Sequence, residues 1–201
     1  MHNNSKLFFQ EYALPFFTDG MHVLEIGPDE VPSTYQKLVS VRLSRWDYLD
    51  IDDRSMTYVA ISDCEFPTES ATFDVVFSGQ VIEHVRKPWL WLREAARVCK
   101  DGGLVITISP INWEYHEAPI DCWRIYPEGM RALYEEAGLD MIICKEGSLD
   151  DQRHECSATG VSGRKGLKAE RSTLPIDLIA IGKKPDHRLW RPDECGGCSN
   201  M

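Results

Sequence analysis

Short apolar runs alternate with helix-like segments along most of the chain. Residues 21–27 form an apolar run that ends in glycine, which predicts a buried strand. Similar runs predict further strands at residues 45–50, 56–61, 73–78, 104–109, 140–144 and 176–181. Strands that alternate with helices are typical of an α/β fold in which helices cover both faces of a parallel sheet. We therefore predict a doubly wound α/β sandwich.

Three segments are predicted to be helical. Residues 82–98 repeat apolar side chains at helical spacing, and Gly102 and Gly103 predict the C-terminal cap. Residues 127–136 begin with proline and are followed by Gly138, which favours a second helix. Residues 5–17 predict a short helix or cap with exposed aromatic side chains. These either roof an acceptor pocket or pack on the sheet: Phe8, Phe9, Tyr12, Phe16 and Phe17.

The length of 201 residues favours a single domain. We expect that domain to occupy residues 1–184, with an N-terminal cap segment at 1–20. Residues 149–175 lack periodicity and predict an insertion between the last two strands, while residues 185–201 predict a flexible tail. No segment approaches the roughly 18 continuous apolar residues of a membrane span, and the polar N-terminus does not resemble a signal peptide.

The charge balance argues against nucleic acid and membrane partners. Lys and Arg number 22 against 32 Asp and Glu, so the formal net charge is −10. Such a surface repels phosphate groups. Because the seven cysteines come without an export signal, we interpret them as reduced thiols of a cytoplasmic protein. Cys195 and Cys198 supply only half of a tetrahedral zinc site, so no metal is predicted.

The first strand ends in a glycine, and an acid follows at the end of the second strand. Gly27 would let a ligand approach the backbone, and Asp50 comes at about the spacing of an acid that binds ribose hydroxyls. The residues after Gly27 are Pro28, Asp29 and Glu30, without the further glycines that cradle a pyrophosphate. The pattern therefore favours a nucleoside site and disfavours a nicotinamide-dependent dehydrogenase.

Several motifs occur in a familiar order. They are VLEIGP at residues 23–28, YLD at 48–50, FP at 66–67, the run at 70–76, QVIEHV at 80–85, REAARV at 93–98 and DGG at 101–103. With these motifs the sequence resembles the class I S-adenosylmethionine (SAM)-dependent methyltransferases of the small type-11-like group, over about residues 23–138. The resemblance implies a Rossmann-like, mostly parallel sheet of seven strands with an antiparallel last strand, and SAM as cofactor.

The resemblance also implies roles for individual residues. Glu25 and Gly27 would border the methionine part of SAM, with Glu25 near its ammonium group. Asp50 would bind the ribose hydroxyls. The remaining cofactor positions are Ile51 against the adenine, Asp63 and Cys64 at the adenine edge, and Ser78 and Gln80 over the sulfonium side.

Residues after the fourth and fifth strands are candidates for acceptor chemistry. His84 is either a general base or a structural residue that caps the following helix or bonds a backbone carbonyl. The loop at residues 116–129 is either an acceptor site or a packed connection. In the first case His116 and Asp121 would join His84 in catalysis, Arg124 would grip a carboxylate or phosphate, and Trp123 and Tyr126 would bind the substrate.

We therefore expect methyl transfer to a small polar metabolite that is sugar-like or carries a carboxylate, first to oxygen and next to nitrogen. The expected protein is a monomer or homodimer. A catalytically degenerate methyltransferase fold that only binds SAM or a partner is one alternative. A methyltransferase acting on RNA or protein is another, although the net charge gives it no support.

Overall fold

One seven-stranded sheet forms the centre of the protein, with strand order β3-β2-β1-β4-β5-β7-β6. A computed structural model of the chain describes residues 3–116, 120–150 and 176–186. Strand β7 is antiparallel to both of its neighbours, and the other pairs are parallel. This confirms the predicted sheet. The strands are β1 His22–Ile26, β2 Arg45–Asp50, β3 Tyr58–Val59, β4 Phe73–Gly79, β5 Cys99–Pro110, β6 Asp140–Gly147 and β7 Asp177–Lys183.

Three α-helices lie in the described residues: α1 Asn3–Phe8, α2 Pro88–Val98 and α3 Pro127–Glu136. Helices α2 and α3 cover one face of the sheet. The other face is covered by α1 and the turns that follow it. In the described residues no α-helix connects β1 to β2, and the short helical turn Gln36–Leu38 lies in that connection. Ser33 contributes to this, since its Oγ accepts the Gln36 N–H at 2.9 Å and so holds the backbone in a turn.

Helix α2 is shorter than the sequence predicts. It begins at Pro88, after a separate turn at Ile82–His84, and it ends at Val98. The predicted glycine cap is wrong, since β5 already begins at Cys99 and contains both glycines. Proline at the first helical position sets this start. The buried stripe then contains Trp91, while Trp89 is exposed.

The N-terminal aromatic side chains pack on the sheet. Phe8, Phe9 and Phe17 are buried, so the expectation of exposed aromatics is wrong for these three. The ring of Phe9 meets Phe77 of β4 edge-on at 5.0 Å between centroids. Their burial removes a large apolar area from water and fixes α1 to the sheet. Of the two interpretations given above, the structure supports packing.

Asn4 of α1 joins the ends of β6 and β7. Its Nδ2 donates to the Gly147 carbonyl at 3.3 Å and to Asp177 Oδ2 at 2.7 Å. Its Oδ1 accepts the Leu149 N–H at 2.6 Å. The Ile176 N–H also donates to the Gly147 carbonyl at 3.0 Å. Residues 149–150 and 176–177 are therefore fixed beside one another.

Some predictions fall outside the described residues. Residues 151–175 contain most of the predicted insertion, and residues 187–201 contain most of the predicted tail with Cys195 and Cys198. The single-domain division at residue 184 likewise stays a prediction. In the described part of the chain, no helix has the length and apolar character needed to span a membrane.

Candidate functional site

The predicted cofactor residues meet at the carboxyl edge of the sheet. Gly27 follows β1, Asp50 ends β2 and Gln80 follows β4. Strands β1 and β4 are neighbours, and the strand order reverses between them. Open α/β sheets bind ligands in the crevice at such a reversal. The topology therefore gathers these residues where a ligand is expected.

Gly27 occupies a position that only glycine fits without strain. Its φ of +66° lies in the left-handed region, which disfavours a side chain. A Cβ built on it would lie 2.6 Å from Val81 Cγ2, far inside van der Waals contact. Its N–H donates to the Leu49 carbonyl at 2.9 Å. The first turn thus lies directly against the segment that follows β4.

The two carboxylate oxygens of Asp50 differ in their hydrogen bonds. Its Oδ1 accepts the backbone N–H groups of Asp52 at 2.9 Å and Asp53 at 3.3 Å, which holds the turn after β2. Its Oδ2 has no hydrogen bond among the residues that the structure describes. The neighbouring Ile51 side chain is exposed. An acceptor oxygen beside an exposed apolar side chain suits a ribose with its attached base.

Glu25 lies in the core beneath the first turn. It is only 1% exposed, and its Oε2 accepts hydrogen bonds from Ser33 Oγ at 2.5 Å and Trp46 Nε1 at 2.9 Å. Burial raises the pKa of this carboxyl group to about 7. Sequence reasoning did not identify Ser33 and Trp46, because their contact with Glu25 spans separate elements.

We expect Glu25→Gln to make stability less dependent on pH. A carboxyl group whose pKa is raised from 4.5 to about 7 on folding stabilises the fold below pH 4.5, and that contribution is lost as the pH rises through 7. The wild-type protein should therefore lose up to about 3 kcal/mol relative to the glutamine variant over this interval. Urea denaturation at several pH values measures this difference. Parallel pH profiles for the two proteins would contradict the raised pKa.

The side chains of Ser78 and Gln80, at the end of β4, differ in their hydrogen bonds. Ser78 Oγ is buried and, within the described residues, has no hydrogen-bond partner. Gln80 has a φ of +61°, and its Nε2 donates to Ser5 Oγ at 2.9 Å and Asp177 Oδ1 at 3.0 Å. Gln80 therefore ties β4 to α1 and β7. A buried hydroxyl without a partner is the kind of group that a bound ligand can satisfy.

Asp63 and Cys64 lie in the turn after β3. The Ala60 N–H donates to the Asp50 carbonyl at 2.8 Å, which connects this region to the end of β2. Cys64 is half-buried, with Sγ 3.8 Å from the Lys87 carbonyl oxygen. Desolvation raises the pKa of the thiol to about 11, so it is neutral at pH 7. The Cys64 side chain is therefore weakly polar at this place and does not act as a nucleophile.

The structure brings His84 and His116 together after β4 and β5. Their rings are perpendicular, with centroids 5.0 Å apart. Glu83, to which sequence reasoning gave no role, lies beside them with Oε1 3.8 Å from His84 Nε2. Glu83 is buried, and desolvation raises its pKa to about 8. The only sequence signal was its place in the QVIEHV motif, which does not reveal burial.

Arg124 and Asp121 form an internal ion pair. Arg124 donates from Nη1 and Nη2 to the two carboxylate oxygens of Asp121, at 2.5 and 2.7 Å. It also donates to the carbonyl groups of Trp113, Glu114 and Trp123. The hydrogen bonds from Arg124 lower the pKa of Asp121 to about 2. The geometry therefore favours a loop-holding role over the expected roles of Asp121 in catalysis and Arg124 in gripping an anion.

Two aromatic side chains of the same loop reach the surface. Trp123 is partly exposed, its Nε1 donates to the Val85 carbonyl at 2.8 Å, and its ring lies edge-on to Trp89 at 6.5 Å. Tyr126 is 65% exposed and precedes α3. Both rings remain accessible to a ligand, in contrast to Arg124.

Comparison with known proteins finds a family match for part of the chain and similar folds among solved structures. Residues 35–107 match the family described as "Methyltransferase domain". Over 91% of its length the chain superposes on 90% of a chain from the complex of the Haloferax volcanii Trm112 methyltransferase activator with a methyltransferase candidate, with a TM-score of 0.66 and 17% identity. None of the curated proteins matches the sequence.

Two further structures share this architecture. A SAM-dependent methyltransferase from Archaeoglobus fulgidus superposes with a TM-score of 0.60 and 15% identity, over 89% of this chain and 92% of that one. One from Aquifex aeolicus gives 0.54 and 15%, over 90% and 89%. The described chain thus has the fold of the class I SAM-dependent methyltransferases, and residues 35–107 match a methyltransferase domain. The free Asp50 oxygen and the unpartnered Ser78 hydroxyl fit SAM as a ligand.

Proposed function

We propose that this protein is a SAM-dependent methyltransferase that methylates an oxygen, or in second place a nitrogen, of a small polar metabolite that is sugar-like or carries a carboxylate. The observation that supports this is the contact between His84, in the turn after β4, and His116, in the loop after β5. Imidazole nitrogens at this place can receive the proton that a hydroxyl or amine loses on methylation.

The cofactor would be held by residues of three strand ends. Asp50 Oδ2 would accept the ribose hydroxyls, Gly27 would allow close approach of the backbone, and Ser78 Oγ would gain a polar partner. Glu25, which is buried, would favour the ammonium group of SAM when its carboxyl group is ionised. When bound, SAM supplies a methyl group on a positively charged sulfur that is ready for displacement. The net charge of −10 is compatible with a cationic ligand.

The hydrogen bonds of the two histidines indicate which ring nitrogen of each could act as a base. His84 Nδ1 lies 2.5 Å from the Ile120 carbonyl oxygen, and His116 Nδ1 lies 3.1 Å from that of Glu114. A carbonyl oxygen only accepts, so both Nδ1 atoms are donors, and in the neutral rings the Nε2 atoms keep a lone pair. His84 is the first candidate base and His116 the second. Trp123 and Tyr126 would provide flat surfaces for the acceptor.

We infer a small-molecule partner and no nucleic acid from the negative charge, and a monomer or homodimer as the working form. The four cysteines in the described residues are free, which supports a reducing, cytoplasmic compartment: Cys64, Cys99, Cys122 and Cys144. An RNA or protein substrate gains no support from the charge.

One observation favours the second candidate function, a fold that binds SAM without catalysis. The side chains of Gln80 and Arg124, both assigned to ligands from the sequence, are engaged in internal hydrogen bonds. A site that uses its polar groups for its own structure has fewer left to orient an acceptor. This candidate predicts cofactor binding and no transfer.

The test combines calorimetry with a turnover assay. SAM and S-adenosylhomocysteine should bind the wild-type chain, and Asp50→Ala should weaken both by about 10- to 100-fold because two charge-assisted hydrogen bonds are lost. Asp52→Ala, which removes the same charge two residues away, should bind like the wild type. Formation of S-adenosylhomocysteine with a panel of hydroxy acids and sugar derivatives would support the proposal.

The outcomes separate the candidates. Equal affinity of Asp50→Ala and Asp52→Ala would overturn the role of Asp50. Tight binding without turnover over sugar, hydroxy-acid and amine acceptors would favour the binding-only function. Turnover on RNA or protein alone, with steep salt dependence, would overturn the small-molecule substrate.

A further inference from the structure

Glu83, His84 and His116 converge on one point at the acceptor side of the sheet. Each offers one possible metal-ligand atom, and these three atoms lie within 4.8 Å of one another. Glu83 and His84 belong to the turn after β4, and His116 belongs to the loop after β5. Because β4 and β5 are neighbouring parallel strands, the fold itself brings the two segments together.

The Glu83 carboxyl group makes no hydrogen bond in the described residues, and its ion-pair contact with His84 Nε2 is 3.8 Å long. The residue is 1% exposed. A buried carboxylate is costly unless a donor or a cation compensates for its lost hydration. The nearby guanidinium group of Arg124 is committed to Asp121. The geometry therefore leaves a place for positive charge beside Glu83.

The two histidines make the hydrogen bonds that orient metal-bound histidines in other proteins. Metal-bound histidines usually donate the other ring N–H to a carbonyl or carboxylate, which fixes the ring and its tautomer. His84 does this through Nδ1 to Ile120, and His116 through Nδ1 to Glu114. Asp121 Oδ2 lies 3.4 Å from His116 Nδ1 and further orients that ring.

We propose that Glu83, His84 and His116 bind one first-row divalent cation, with Zn²⁺ or Co²⁺ preferred over Mg²⁺. Two imidazole nitrogens and one carboxylate form a donor set that suits these ions, whereas Mg²⁺ prefers oxygen ligands and keeps its waters. Three protein ligands leave a further position for water or an acceptor oxygen. The sequence predicted no metal, because the ligands come from separate segments.

The cation would change how the acceptor loses its proton, a consequence that rests on the proposed function. A hydroxyl oxygen bound to a divalent cation has a lowered pKa and gives its proton to solvent. That oxygen then forms a bond to the methyl carbon as the carbon–sulfur bond breaks, and the electron pair of the broken bond returns to sulfur. His84 and His116 would then act as ligands instead of bases.

The test measures binding without any acceptor. Metal-stripped full-length protein is titrated with Co²⁺ and Zn²⁺, with Mg²⁺ for comparison, by calorimetry and by the visible spectrum of Co²⁺. We expect one equivalent of Co²⁺ with a nitrogen–oxygen spectrum. Glu83→Gln and His116→Ala should each weaken binding by at least 30-fold. The ion should also raise the melting temperature of the wild-type protein and of neither variant.

The matched control removes the cysteine pair near the C-terminal end of the sequence. Cys195→Ser/Cys198→Ser should bind Co²⁺ as the wild type does. Loss of binding in this control, a thiolate spectrum, or unchanged affinity in Glu83→Gln would overturn the site. Cation binding without methyl transfer would leave the site standing and count against the proposed function. SAM turnover in a chain that binds no cation would do the reverse.

Discussion

Arg124→Ala is expected to lower the free energy of unfolding by about 3 kcal/mol, because it leaves a buried carboxylate without its counter-charge. The Asp121 side chain is 2% exposed and receives two hydrogen bonds from Arg124. Three backbone carbonyl groups of the loop would lose a donor as well. Urea denaturation at pH 7 measures the loss, and calorimetry shows whether cofactor binding survives in the folded fraction.

Arg131→Ala is the matched control for this change. Arg131 pairs with Glu128 at 3.5 Å, but the two side chains are 47% and 90% exposed. An exposed pair of this kind contributes less than about 1 kcal/mol. Similar small losses in both variants would contradict the loop-holding role and return Arg124 to the candidates for anion binding.

Gly27→Ala is expected to cost about 2–4 kcal/mol of stability and to weaken SAM binding. The left-handed backbone accounts for about 1–2 kcal/mol of this. The rest comes from a Cβ placed 2.6 Å from Val81 Cγ2, since overpacking costs about 1–3 kcal/mol and a β-branched side chain has few rotamers in which to move away. Thermal and urea unfolding give the stability, and calorimetry gives the affinity.

Gly138→Ala separates the two contributions. Gly138 has a φ of +72°, close to that of Gly27, but nothing lies within 4 Å of an added Cβ. It should therefore lose only the backbone part. Val81→Ala in the Gly27→Ala background should recover some stability, because the Cγ2 atom is removed. Equal costs at the two glycines would show that Val81 gives way freely.

The sheet could be predicted from the sequence because its strands carry their own signal. Buried parallel strands are continuous apolar runs, and β1, β2 and β4 were located within about two residues. The antiparallel direction of β7 was predicted from the family resemblance, because the hydrophobic pattern of a strand does not indicate its direction. The start of α2 was missed because residues 82–87 have apolar side chains that a turn can also bury.

The site was predictable in position but less so in chemistry. Gly27 and Asp50 follow strands, so topology alone places them at one edge. The partners of Gln80 and Arg124 could not be inferred, since a side chain's hydrogen bonds depend on distant segments such as α1 and β7. The same holds for Glu83, whose type indicates a surface residue and whose burial is a property of the assembled fold.

The hydrogen bonds of Asn4 hold the ends of β6 and β7 together, so the stability of the sheet depends little on the number of residues between these two strands. Residues 149–150 and 176–177 are held side by side, with Gly147 paired to Asp177 across β6 and β7. For a loop with adjacent ends, each doubling of length costs only about 0.6 kcal/mol in chain entropy. The number of residues between these two anchors can therefore change at little cost to the pairing of β6 and β7.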